Sequence, residues 1–199
     1  ESWNTCAVPW NPVEIVAGDG YLSLYPAAGP GGVAYARADG RSDVAIVRLR
    51  DDGERSVVRW NSVERPTWLP DGSLLVPQLE YVDRYRVRRD LYRLAPDGDV
   101  SRVTRGLRVV HASASPSGTE IAAVLAEGDT NRLALLSADG SVARVLANPQ
   151  AGVLWSFPAW SPDGRLIAVS RHREGGRTSI VVLDASTGEA LTVIDEPSL

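Results

Sequence analysis

Apolar residues fall in short runs along the chain, each closed by a cluster of turn formers, and no stretch repeats at the helical spacing of three and four. Runs such as Ile121-Ala122-Ala123-Val124 and Leu166-Ile167-Ala168-Val169 are apolar at consecutive positions, the pattern of strands buried on both faces. The chain therefore reads as all-β.

Two families of turns set the beat. Trp68-Leu69-Pro70-Asp71-Gly72, Ala114-Ser115-Pro116-Ser117-Gly118 and Trp160-Ser161-Pro162-Asp163-Gly164 place prolines 46 residues apart, and a degenerate copy spans residues 26–32. Proline presets the first bend, Asp accepts backbone hydrogen bonds and Gly tolerates positive φ. Pro70, Asp71, Gly72, Pro116, Gly118, Pro162, Asp163 and Gly164 are thus expected to shape turns, and Asp163 to bend the chain without doing chemistry. The second family, Asp52-Gly53, Asp97-Gly98, Asp139-Gly140 and Thr187-Gly188, runs in phase with the first and sits between apolar runs.

Each repeat then holds four short strands, and four strands in about 45 residues describe a propeller blade. The expectation is a β-propeller with four recognisable four-stranded antiparallel blades, at about 21–60, 66–104, 110–147 and 156–194. Residues 1–20 read as the tail of a preceding blade or a linker, because 13–17 occupies a fourth-strand position without companions. On that reading the chain is part of a larger propeller of six or more blades, and its open blade edges invite self-association. The alternative is a self-contained four-bladed ring with an N-terminal extension.

The stretch W-S-P-D-G-R-L-I-A-V-S at 160–170, followed by a charged hairpin and S-I-V-V-L-D at 179–184, resembles the TolB-type β-propeller repeat, a relative of the WD repeat. The resemblance covers about 21–194 and is best in the last unit. The third unit has Ala114 and Ser117 where the pattern has Trp and Asp, and the first unit is poorest. The resemblance implies a bacterial periplasmic or secreted setting and a role in protein binding. Similar propellers also gate serine peptidases of the prolyl-oligopeptidase type. Two readings follow: a non-catalytic scaffold for a protein or peptide partner, or the substrate-access propeller of a peptidase whose catalytic residues lie outside this chain.

Composition narrows the chemistry. The single Cys6, with His111 and His172 as the only histidines, makes no zinc spacing, and neither H-E-x-x-H nor G-x-S-x-G occurs. The glycine-rich stretch at 29–32 lacks the Lys-Ser/Thr of a phosphate loop and stands where a turn is due. No catalytic residue, metal or cofactor is expected. No apolar run approaches the roughly 18 residues of a membrane span. A net charge of −4 argues against nucleic acid as a partner. All 21 basic residues are Arg. His111 is expected to be packed on an inner strand lining the channel, His172 to face water in a charged hairpin, and Trp68 and Trp160 to pack between blades.

Binding is expected on the irregular loops, since both regular turn families share the opposite face. The longest connection between second and third strands holds Tyr81, Arg84, Tyr85, Arg86 and Arg88. Alternation would set the three arginines on one side of a projecting hairpin, with Tyr85 and Val87 on the other. Tyr and Arg are over-represented among interface hot spots. The plainer alternative is a solvated hairpin whose charges pair with Asp83 and Asp90. Trp155, in a connection assigned to 148–157, is a second candidate on the same face.

Overall fold

The computed structural model describes residues 22–38, 44–50, 53–60 and 64–195. The segment at 13–17 and the rest of the N-terminal tail lie outside the described residues, as does Asp52. The described residues contain no helix and form sixteen strands. Blade 1 is β1 (Leu22–Gly29), β2 (Gly32–Ala38), β3 (Val44–Arg50) and β4 (Gly53–Trp60). Blade 2 is β5 (Thr67–Trp68), β6 (Leu74–Tyr81), β7 (Val87–Leu94) and β8 (Val100–Arg102). Blade 3 is β9 (Val109–Ala114), β10 (Glu120–Glu127), β11 (Thr130–Ser137) and β12 (Val142–Ala147). Blade 4 is β13 (Val153–Trp160), β14 (Leu166–Arg173), β15 (Arg177–Asp184) and β16 (Ala190–Asp195).

In every blade the strands pair in chain order and antiparallel, giving four separate four-stranded sheets arranged as a four-blade β-propeller. The core lies between the blades. Strand β10 shows why its run is continuously apolar: Ile121, Ala123 and Leu125 pack towards Leu75 and Leu91 of blade 2. On its other face Ala122 and Val124 pack towards Ile167, Val169 and Val181 of blade 4. Ala34, Ala36 and Ile46 of blade 1 meet Trp68, Leu74, Val76 and Leu94 of blade 2 in the same way.

The turns before the second strands behave as their residues require. Gly72, Gly118 and Gly164 adopt φ of 78°, 73° and 71°, and their amides close onto the carbonyls of Leu69, Ser115 and Ser161. The Asp71 carboxylate accepts the Ser73 amide at 2.9 Å, and Asp163 accepts the Arg165 amide at 3.1 Å and the Ser161 hydroxyl at 2.6 Å. These bonds favour the charged form and hold both carboxyls below the usual carboxylate range. Ser117 takes the Asp place in blade 3 through its hydroxyl contacts with Ser115 and Thr119.

Indole groups tie neighbouring blades. Trp68 Nε1 donates to the Ala27 carbonyl at 2.9 Å, and Trp160 Nε1 donates to the Ser113 carbonyl at 3.0 Å. In blade 3, where Ala114 replaces the indole, its amide donates to Thr67 Oγ1 at 3.1 Å. The glycines of the first turn make room for this tie: a Cβ at Gly29 or Gly31 would lie 2.1 or 2.3 Å from the Trp68 ring.

Candidate functional site

The hairpin between β6 and β7 pairs in register up to Tyr81 opposite Val87, so residues 82–86 form its tip. That tip is a closed turn and not a continued strand. The Val82 amide donates to the Arg86 carbonyl at 2.8 Å. Asp83 Oδ1 accepts the amides of Tyr85 and Arg86 at 2.9 and 3.0 Å, and its Oδ2 accepts Arg86 Nε at 2.6 Å. The Tyr85 amide, then the Arg86 side chain, hold the Asp83 carboxyl below the usual range. The expected alternation of Arg84, Arg86 and Arg88 therefore fails at the tip, because an aspartate-capped turn replaces the extended backbone that alternation needs.

The surface that results is selective. Arg86 is tied down by Asp83, whereas Arg84 and Arg88 have no carboxylate within ion-pair distance among the described residues. Tyr81 and Tyr85 are 67% and 87% exposed. Beneath the hairpin lies a depression of about 590 Å³, lined by Gln78, Glu80, Tyr81, Val82, Arg88 and Arg102.

The hairpin stands on a rigid base. Asp90, expected as a partner for the hairpin arginines, turns instead into the blade and is completely buried. It accepts Arg102 Nη2 at 2.5 Å, Thr104 Oγ1 at 2.8 Å, and the amides of Gly106 and Leu107 at 2.7 and 3.1 Å. Arg102 also reaches Glu80 at 3.1 Å, and Glu80 accepts the Tyr92 hydroxyl. Burial, then that carboxylate, push the Tyr92 hydroxyl up to about 12.

A second cluster forms where the inner strands approach one another. Tyr25, Arg65, His111 and Phe157 each stand five residues before the proline of their turn, so they occupy one repeat position in four blades. The His111 and Phe157 ring centres are 4.2 Å apart. The Arg65 guanidinium carbon lies 5.7 Å from the Phe157 ring centre, a contact between blade 2 and blade 4. Tyr25 hydrogen-bonds Glu64, and that carboxylate, with burial, pushes its hydroxyl up. Glu64 also pairs with Arg89 at 3.2 Å. Burial, then the charges of Arg89, Arg65 and His172, lower the His111 imidazole to about 4, leaving it neutral at pH 7. At the turn-side ends of the same strands, Pro30, Trp68, Pro70, Pro116, Trp160 and Pro162 line a depression of about 340 Å³.

Two sequence expectations are corrected here. Trp155 lies inside β13, which begins at Val153, and its backbone is bracketed by the Asn131 side chain at 2.8 and 2.9 Å. Its half-buried ring packs beside the cluster joining blades 3 and 4, with Arg171 over its face at 6.0 Å. His172 does not simply face water: its Nε2 lies 2.8 Å from Ser156 Oγ and its Nδ1 3.1 Å from Thr178 Oγ1. A serine nucleophile would need a carboxylate behind the imidazole to stabilise its cation. Thr178 offers a neutral hydroxyl, and Ser156 is buried, so the three side chains tie β13, β14 and β15 together. Among the described residues, no group of three or more His, Cys, Asp or Glu side chains could hold a metal.

No family model matches the chain, and no curated protein matches it. Solved structures do. TolB from Acinetobacter baumannii superposes with a TM-score of 0.72 at 21% identity, over 90% of this chain and 45% of that one. A puromycin-hydrolyzing peptidase of Mycobacterium tuberculosis gives 0.66 at 18% identity, over 94% of this chain and 31% of that one. A prolyl endopeptidase gives 0.64 at 13% identity, over 85% of this chain and 29% of that one. The likeness is one of fold, and the chain spans less than half the length of each of these three proteins.

Proposed function

We propose that this chain is a non-catalytic β-propeller scaffold that binds a protein partner through the β6–β7 hairpin. The observation that carries the reading is the tip itself. Exposed Tyr85 and Arg84 project from the turn that Asp83 holds closed, beside exposed Tyr81 and Arg88 on the strand ends beneath it. Neither arginine has a carboxylate within ion-pair distance among the described residues. Large aromatic surface held on a rigid base loses little entropy on binding, and Tyr and Arg are the side chains that dominate interface energetics. The unpaired arginines make an acidic partner surface the complementary one. The fold likeness to TolB supports the scaffold reading and a place in the bacterial cell envelope or outside the cell.

A second reading is favoured by the likeness to two peptidase structures. There the propeller would govern substrate access, with the catalytic groups outside this chain.

A photo-cross-linking amino acid at Tyr85 tests the proposal, with the same group at Asp163, on the opposite face, as control. The scaffold reading expects one partner cross-linked from Tyr85, absent from the Asp163 sample, and reduced when Arg84 and Arg88 are both changed to Glu. Equal cross-linking from both positions would reject the hairpin as the docking surface.

A further inference from the structure

The axial cluster has features that packing alone does not require. In blades 1 and 4 the inner strand breaks register at this position, between Leu24 and Ala27 and between Ser156 and Ala159. Tyr25 and Phe157 sit in those breaks at φ of 57° and 52°. Left-handed backbone at a bulky non-glycine residue is strained, and such strain collects at binding sites. Phe157 is 44% exposed, not packed into the core.

The charges are unbalanced. Glu64 is engaged by Arg89 and by the Tyr25 hydroxyl. Arg65 is exposed, lies over the Phe157 ring, and has no carboxylate within ion-pair distance among the described residues. His111 is neutral at pH 7 and keeps a ring nitrogen available as a donor. One guanidinium without a counter-charge, beside aromatic surface and a neutral donor, suits a monoanion with an organic body. A cation would be repelled by Arg65 and Arg89, and a dianion would meet Glu64 with a single free positive charge to answer it.

We propose that this cluster is a binding site for a peptide carboxylate, seated on Arg65 against Phe157 and His111. The carboxylate can come from a chain terminus or from an acidic side chain, and both present the same two oxygens to the guanidinium fork. The site uses none of the hairpin residues and does not depend on the hairpin's role.

Phe157 is the one phenylalanine of the chain, so incorporation of 4-fluorophenylalanine gives a single fluorine resonance at the site. Three probes are titrated against it: acetyl-Ala-Ala-Leu as the free acid, the same peptide as its C-terminal amide, and acetyl-Ala-Glu-Leu amide. At least one acid should move the resonance and bind roughly ten- to hundredfold more tightly than the neutral amide, the range of a charge-assisted hydrogen bond. Whichever acid does so identifies the carboxylate's source. Arg65→Gln should abolish the preference, and Arg65→Lys should retain part of it. The proposal is overturned if no probe shifts the resonance at millimolar concentration, or if the neutral amide or inorganic phosphate binds as well as the acids. A preference that survives Arg65→Gln overturns it equally.

Discussion

Replacing Asp90 by Ala tests how the hairpin's base is held. Asp90 is completely buried and accepts from a guanidinium, a hydroxyl and two backbone amides. Thr104 Oγ1, which donates to Asp90, itself accepts the Leu91 amide at 2.9 Å, so the network reaches back into β7. In the Ala variant the amides of exposed Gly106 and half-buried Leu107 exchange their acceptor for water, whereas the buried Thr104 hydroxyl is left without one, which costs about 1–3 kcal/mol. Arg102 keeps Glu80, which offsets part of the loss of its closer partner. The expected destabilisation is about 2–5 kcal/mol, the unpaired Thr104 hydroxyl together with the lost charge-assisted bond to the partly exposed Arg102, out of the roughly 5–15 kcal/mol by which a domain is stable. Urea unfolding gives the total, and hydrogen exchange at Gly106 and Leu107 locates it. A loss under about 1 kcal/mol, with unchanged exchange at those two amides, would refute the claim that Asp90 holds the connection from β8 to β9.

Gly29→Ala should lower stability by about 1–3 kcal/mol through overpacking, because its Cβ would meet the Trp68 ring at 2.1 Å; an unchanged urea midpoint would contradict this. His111 has its pKa lowered from the ordinary 6.5 to about 4 by burial and then by Arg89, Arg65 and His172. The unfolded chain therefore binds the proton first as pH falls, so this contribution is complete above about 6.5 and lost on the way down to about 4. With screening at a partly exposed ring it amounts to about 1–2 kcal/mol, read as the difference in pH-dependent stability between the protein and His111→Gln. A His111 resonance titrating near 6.5 would refute it. On blade 4, Ile180 and Ile194 are paired across β15 and β16 and exposed, at 37% and 58%. Sedimentation velocity should show self-association that Ile194→Glu weakens, and a monomer at every concentration would count against that face as a contact surface.

Much of the architecture was legible because it rests on local chemistry. The Pro-Asp-Gly series announced its turns through residues whose backbone preferences act alone, and the unbroken apolar run at 121–125 announced a strand with blades on both sides. The site was less legible. Asp90 looked like a surface charge, since the groups that donate to it lie 12 to 17 residues away, at the end of β8 and in the connection after it, where no motif marks them. Asp83 closes a turn where simple alternation would have extended a strand. Tyr25, Arg65, His111 and Phe157 differ in type, so no motif marks them, although their common distance from the turn prolines was available in the sequence. The glycines at 29 and 31 read as turn formers, and only the packed structure shows the Trp68 ring that needs their missing side chains.

The docking role of the hairpin is tested most directly by calorimetry with the purified partner cross-linked from Tyr85. The protein is compared with a variant carrying Tyr81→Ser and Tyr85→Ser, both at exposed positions outside the core. Two central aromatic contacts dominate an interface of this kind, so the variant should bind about a hundredfold or more weakly while melting at the same temperature as the parent. Binding within about threefold of the parent, a difference under 1 kcal/mol, would contradict the account.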